Sequence, residues 1–78
     1  KGVASSAMRL VLSYAFNVMN LKRITLGVIA GNMDAIRLYE RVGFVREGCL
    51  RSHVLCKGAY HDVILYGLMA EEFNKRKG

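Results

Sequence analysis

The chain has 78 residues, 53% of them hydrophobic and none proline, with 12 Lys and Arg against 6 Asp and Glu for a formal charge of +6. A domain of this length buries only about 60–65% of its unfolded surface, so this much apolar material reads either as a dense core or, the favoured reading, as surface built to face protein that is absent here. The apolar runs are too short to span a bilayer and no signal peptide is visible; the charge favours an anionic partner such as a phosphate-rich cofactor, while nucleic acid is not expected without an arginine-rich helix or an RNA-binding aromatic signature.

The first predicted element is a helix from about Val3 to Val18. Val3, Ala7, Leu10, Val11, Tyr14, Ala15 and Val18 recur at three- and four-residue spacing, a broad stripe expected to lie against a sheet. Ser5, Ser6, Arg9, Ser13 and Asn17 gather on the opposite side, and Asn20 is the expected stop.

Arg23 to Ile29 reads as a strand, with Ile24, Leu26 and Val28 alternating with Arg23, Thr25 and Gly27. Ala30-Gly31 breaks it. Asn32 then suits a helix N-cap, its side-chain oxygen accepting a free first-turn amide, and Asp34 adds favourable negative charge to that turn. Ala35, Leu38, Tyr39 and Val42 form one face of the helix. Gly43 fits the left-handed position that ends it, and Phe44 is expected to pack back on Tyr39.

The remainder reads as a long hairpin, Val45 to Cys56 and Ala59 to Met69, turning at Lys57-Gly58. In its second arm Val63, Leu65 and Met69 point one way and Ile64, Tyr66 and Leu68 the other, so the strand is expected to be covered on both faces. Ala70 to Lys77 is a short polar end with room for a helical turn, and Asn74 to Gly78 a solvated tail. The fold class is α+β, in the order α-β-α-β-β with a C-terminal antiparallel hairpin. The strand-helix-strand unit around Asn32 is either a parallel crossover or an antiparallel return, and length does not decide between them.

Cys49 and Cys56 lie seven positions apart on one predicted strand. An odd offset puts them on opposite faces, so no mutual disulfide is expected. The same parity separates Cys56 from Cys49 and His53, so Cys49, His53, Cys56 and His61 are not read as a zinc site and no metal is expected. Unpaired cysteines fit a reducing cytoplasm.

The run Gly31-Asn32-Met33-Asp34-Ala35-Ile36-Arg37-Leu38-Tyr39-Glu40-Arg41-Val42-Gly43-Phe44 resembles the late motif of the GNAT superfamily of N-acetyltransferases: Asn opens a helix, Leu-Tyr-Glu and a basic residue close it, and Gly-Phe leads into a strand. Val45-Arg46-Glu47-Gly48, the hairpin and Asp62-Val63 are similar to the branch that acetylates ribosomal-protein N-termini, polyamines and related amines. At the start, Lys1-Gly2-Val3-Ala4 resembles the last four positions of the family's pyrophosphate loop, Arg/Gln-x-x-Gly-x-Gly/Ala. Small residues there let a phosphate approach the backbone, and free amides at a helix start favour an anion.

The resemblance covers nearly the whole chain and implies its role. Residues 1–78 would be the C-terminal portion of one acetyltransferase domain whose earlier strands lie elsewhere, so the sheet is incomplete without an N-terminal half and the segment alone is expected to be inactive. Acetyl-CoA would be the co-substrate, contacted by Lys1, Gly2, Val3, Ala4, Asn32 and Arg41. Tyr39 would protonate the departing sulfur, since a phenol with an ordinary pKa near 10 is a donor at neutral pH. For each there is also an ordinary structural role: a helix start, an N-cap for Asn32, a solvated charge for Arg41, core packing for Tyr39. The acceptor is a protein N-terminus, a polyamine or a small amine. The general base is not assigned, since Glu47, His53, His61 and Asp62 qualify by type alone. Ile24 to Val28 would present a free sheet edge, pairing in a homodimer or with the missing half. The alternative function is a non-catalytic, truncated acetyltransferase-like module that dimerises or binds a protein partner.

Overall fold

The computed structural model describes residues 2–77. In chain order it contains α1 (Gly2–Ser13), a π-helical turn (Tyr14–Val18), β1 (Arg23–Ile29), α2 (Met33–Val42), β2 (Val45–Cys56), β3 (Ala59–Met69) and α3 (Ala70–Lys77). The α-β-α-β-β order therefore holds, with one more helix at the end.

The strands form one sheet in the order β1-β3-β2, with β1 and β2 each antiparallel to β3. Hence β1 and β2 run parallel, and the unit around Asn32 is a parallel crossover with β3 inserted between its strands. Among the described residues β1 pairs on one side only, along Arg23–Ile29 against Met69–Val63. Lys57 and Gly58 both take positive φ, 52° and 80°, as a two-residue hairpin turn of the tightest kind requires. β2 departs from simple alternation twice, between Arg46 and Gly48 and between Leu50 and Val54. At the second departure Ser52 has φ 45° and its N–H donates to Asp62 Oδ1 at 2.9 Å. Cys49 pairs with Ile64 and Cys56 with Ala59, an odd offset along β3, and both thiols are free.

The core lies on one face of the sheet. Ile24, Leu26 and Val28 stand opposite Leu68, Tyr66 and Ile64, and Tyr66 and Leu68 are the largest fully buried side chains. Ile36 and Val42 of α2, Phe44, and Leu12 and Phe16 of the first helix complete it. The other face of β3 carries Val63 and Leu65, which are only half-buried, and Met69, which is exposed. The chain thus covers one of the two apolar faces read in β3.

The first helix differs from expectation. Its buried stripe is Ser5, Met8, Leu12 and Phe16, whereas Val3, Leu10, Val11, Tyr14 and Val18 are exposed. At 3.6 residues per turn these sets fall on roughly opposite sides. Ser5, read as solvent-facing, is buried at 3% exposure, and its hydroxyl has no partner among the described residues. The helix also ends in π geometry, with Met19 N–H bonding Tyr14 O at 3.0 Å. Asn20 stops it in the left-handed region at φ 60°.

The polar end forms a helix because Glu72 Oε1 accepts the Met69 N–H at 2.9 Å, half of a capping box. Phe73 anchors it, 6% exposed and 5.3 Å from Phe16 ring to ring. Both residues lie in a stretch dominated by charge, which hides their signal in the sequence. No helix among the described residues is long and apolar enough to cross a membrane.

Candidate functional site

Helix α2 is built by its caps. Asn32 Oδ1 accepts the Ala35 N–H at 3.2 Å, and its main-chain carbonyl accepts the Ile36 N–H at 3.1 Å. Asp34 sits in the first turn and Arg41 in the last, each at the end its charge favours. At the far end Phe44 N–H bonds Tyr39 O at 2.9 Å, Gly43 N–H bonds Glu40 O at 3.2 Å, and Gly43 takes φ 121°. This is the Schellman arrangement expected of Gly43 and Phe44. Its accompanying contact is present too, with the Tyr39 and Phe44 rings 5.8 Å apart, edge to face.

The start of α1 and the outer side of α2 enclose an open cleft of about 610 Å³, lined by Ala4, Asn32, Asp34, Arg37, Leu38 and Arg41 among others. Three positions singled out in the sequence, Ala4, Asn32 and Arg41, meet in this cleft although 28 or more residues separate Ala4 from the others in the chain. Arg37 was not singled out. It stands one turn before Arg41, and both residues line the cleft at helical spacing. Arg37 contacts Asp34 at 3.5 Å, but both side chains are largely exposed, so that pair holds neither residue strongly. Two arginines against one aspartate leave the cleft positive.

The remaining positions stand apart. Val3 is 81% exposed and does not line the cleft. Gly2 begins α1, where first-turn amides lack helical partners. Lys1 lies outside the described residues. Tyr39 is not part of the cleft lining; it is half-buried on the sheet side of α2, with its ring 6.3 Å from that of Tyr66.

Behind Tyr39, Tyr66 is 1% exposed and its hydroxyl donates to Glu40 Oε2 at 2.8 Å. Burial, then the hydrogen bond and negative charge of Glu40, push the Tyr66 phenol above its ordinary pKa, against the opposing charge of Arg46. Of the acid–base candidates, Glu47 is engaged with Arg23 in an ion pair. His61 Nε2 faces the Cys56 carbonyl at 3.3 Å, and Asp62 holds the Ser52 amide.

Residues 1–44 match the profile of the Acetyltransferase (GNAT) family. An uncharacterized N-acetyltransferase of a Bacillus subtilis prophage, YokL, is 37% identical over 78 residues, covering 100% of this chain and 44% of the relative. The spermidine N(1)-acetyltransferase of Vibrio cholerae is 38% identical over 76 residues, covering 96% of this chain and 44% of the relative. A solved structure of a spermidine/spermine N-acetyltransferase from Vibrio cholerae superposes with a TM-score of 0.92 at 35% identity, covering 100% of this chain and 47% of that one. The chain spans about half the length of the curated relatives it matches.

Proposed function

The chain belongs to the GNAT acetyltransferase family, and on that premise we propose that it forms the C-terminal half of a domain that transfers an acetyl group from acetyl-CoA to a primary amine. The observation that carries this reading is the cleft in which Ala4, Asn32 and Arg41 meet. The cleft fits a phosphate-bearing ligand on its own chemistry. A small residue at Ala4 lets an anion approach the start of α1, and Arg37 and Arg41 supply compensating charge.

In this reading the amides of Gly2, Val3 and Ala4, with Lys1, hold the pyrophosphate. Asn32 uses its oxygen to cap α2 and its amide nitrogen to donate to the pantetheine arm. Acetyl-CoA supplies the thioester. A neutral amine attacks the carbonyl carbon, the C–N bond forms, and the C–S bond breaks. The Tyr39 hydroxyl gives its proton to the departing sulfur, and the amine loses a proton to a base contributed from outside this segment. The acceptor amine is a polyamine, a protein N-terminus or a small amine; the similarity to spermidine acetyltransferases favours the first.

A second reading, a non-catalytic module that dimerises, is favoured by the exposed Leu10, Val11, Tyr14 and Val18 and by the free side of β1. Gel filtration combined with a thioester-consumption assay separates the two. Acetyl-CoA binding, with turnover in the natural protein that contains these residues, supports the enzyme. An obligate dimer that binds no acetyl-CoA supports the module and refutes the enzyme.

A further inference from the structure

We propose that Glu40 and Tyr66 form a positioning pair that sets the aim of the Tyr39 hydroxyl; this rests on the reading of Tyr39 as the proton donor. Tyr39 is fixed at its backbone by the Schellman bonds, because its carbonyl accepts from both Phe44 and Gly43. Its ring is flanked by Phe44 at 5.8 Å and Tyr66 at 6.3 Å. Ile36 and Val42 seat α2 on the core, and what remains to be set is the fine tilt of its last turn over the sheet.

The next residue in the chain sets that tilt. Glu40 belongs to the outer surface of α2, yet its carboxylate reaches inward to accept a hydrogen bond from the Tyr66 hydroxyl at 2.8 Å. A carboxylate accepting from a phenol makes a charge-assisted bond, stronger than a neutral one. Tyr66 is a firm anchor. It sits mid-strand, paired with Leu26 on one side and Arg46 on the other, and is 1% exposed. A phenol buried so deeply and left without an acceptor is costly, so Tyr66 draws Glu40 in and holds the turn in one register. Burial and Glu40 both raise the Tyr66 pKa, so the donor stays protonated throughout the range in which the enzyme would work. The pair touches neither acetyl-CoA nor amine in this account and acts through Tyr39 alone.

The test is a double-mutant cycle on kcat, in the natural protein containing the segment. Glu40→Ala and Tyr66→Phe each remove the bond; the first leaves the Tyr66 hydroxyl unpaired, while the second keeps the ring and leaves no buried hydroxyl, so a fall in kcat shared by both is not the cost of an unsatisfied phenol. Each is expected to lower kcat about tenfold or more, the usual consequence of a small misplacement of a reacting group, with KM for acetyl-CoA changed by less than about twofold. Glu40→Gln keeps an acceptor for the Tyr66 hydroxyl and restores most of kcat. In a Tyr39→Phe background, Glu40→Ala produces no further fall, because the residue it acts through is gone. If Glu40→Ala lowers kcat by the same factor with and without the Tyr39 hydroxyl, the pair does not act through Tyr39 and the proposal is overturned alone. If Tyr39→Phe itself leaves kcat unchanged, the donor reading is what fails, and the pair's role falls with it.

Discussion

The hydroxyl of Tyr66 and the carboxylate of Glu40 meet at 2.8 Å, tying the innermost strand of the sheet to the last turn of α2. Burial and Glu40 raise the Tyr66 pKa above its ordinary value near 10. A group whose folded pKa is raised contributes stability that is whole below the unfolded pKa and lost as pH climbs through the folded one. The urea midpoint should therefore hold up to about pH 10 and fall above it. Tyr66→Phe should lower the midpoint near neutral pH and flatten that alkaline fall. An equally steep fall in the variant would assign it to other groups.

Replacing Tyr39 with phenylalanine in the natural protein should cut kcat about a hundredfold, the ordinary scale for removing a positioned acid. Affinity for acetyl-CoA should change little, because Tyr39 is outside the cleft lining. Stopped-flow thioester consumption with a separate binding titration checks both halves of that statement. Unchanged turnover removes Tyr39 from the chemistry.

Asn32 can be tested for two roles at once. Asn32→Asp keeps an oxygen to accept the Ala35 N–H and places negative charge where the helix favours it, so thermal stability should be preserved. The same change replaces the amide donor with an anion in the cleft, and acetyl-CoA should bind about tenfold more weakly, the scale of losing one good hydrogen bond. Asn32→Ala should lower both, stability by about 1 kcal/mol. Tight binding by the Asp variant would leave Asn32 as a cap alone.

Two neighbours on the first helix should respond oppositely. Leu12 is 4% exposed and Val11 67%. Leu12→Ala should cost about 2–5 kcal/mol of folding stability by opening a cavity. Val11→Ser should stay within about 0.5 kcal/mol in the chain by itself. Urea denaturation compares them directly. A large loss from Val11→Ser would mean that the face is already covered, as in a dimer.

What was legible in the sequence was local. Asn32, Gly43 and Phe44 announce themselves because an N-cap and a Schellman end are set within six residues, and the structure repeats each of those bonds. The same locality made Lys57-Gly58 readable as the turn. The face of α1 was not readable, since apolar residues occupy both sides of it. Ser5 lies on the buried side and Val3, Leu10 and Val11 on the exposed one, so periodicity alone chose the wrong stripe. Strand order was hidden for a different reason. Whether β3 inserts between β1 and β2 depends on pairings such as Leu26 with Tyr66 and Arg46 with Tyr66, forty and twenty residues apart. The convergence of Ala4 with Arg37 and Arg41 depends in turn on how α1 and α2 share one face of that sheet.

Addition of acetyl-CoA to the isotope-labelled natural protein, followed by amide chemical shifts, tests the cleft most directly. The largest changes should fall on the amides of Gly2 to Ser5 and of Asn32 to Arg41, and should weaken when Arg37 and Arg41 are both replaced by glutamine. Saturable changes confined to the Lys57-Gly58 hairpin, or no changes at millimolar acetyl-CoA, would contradict the assignment of this cleft to the thioester ligand.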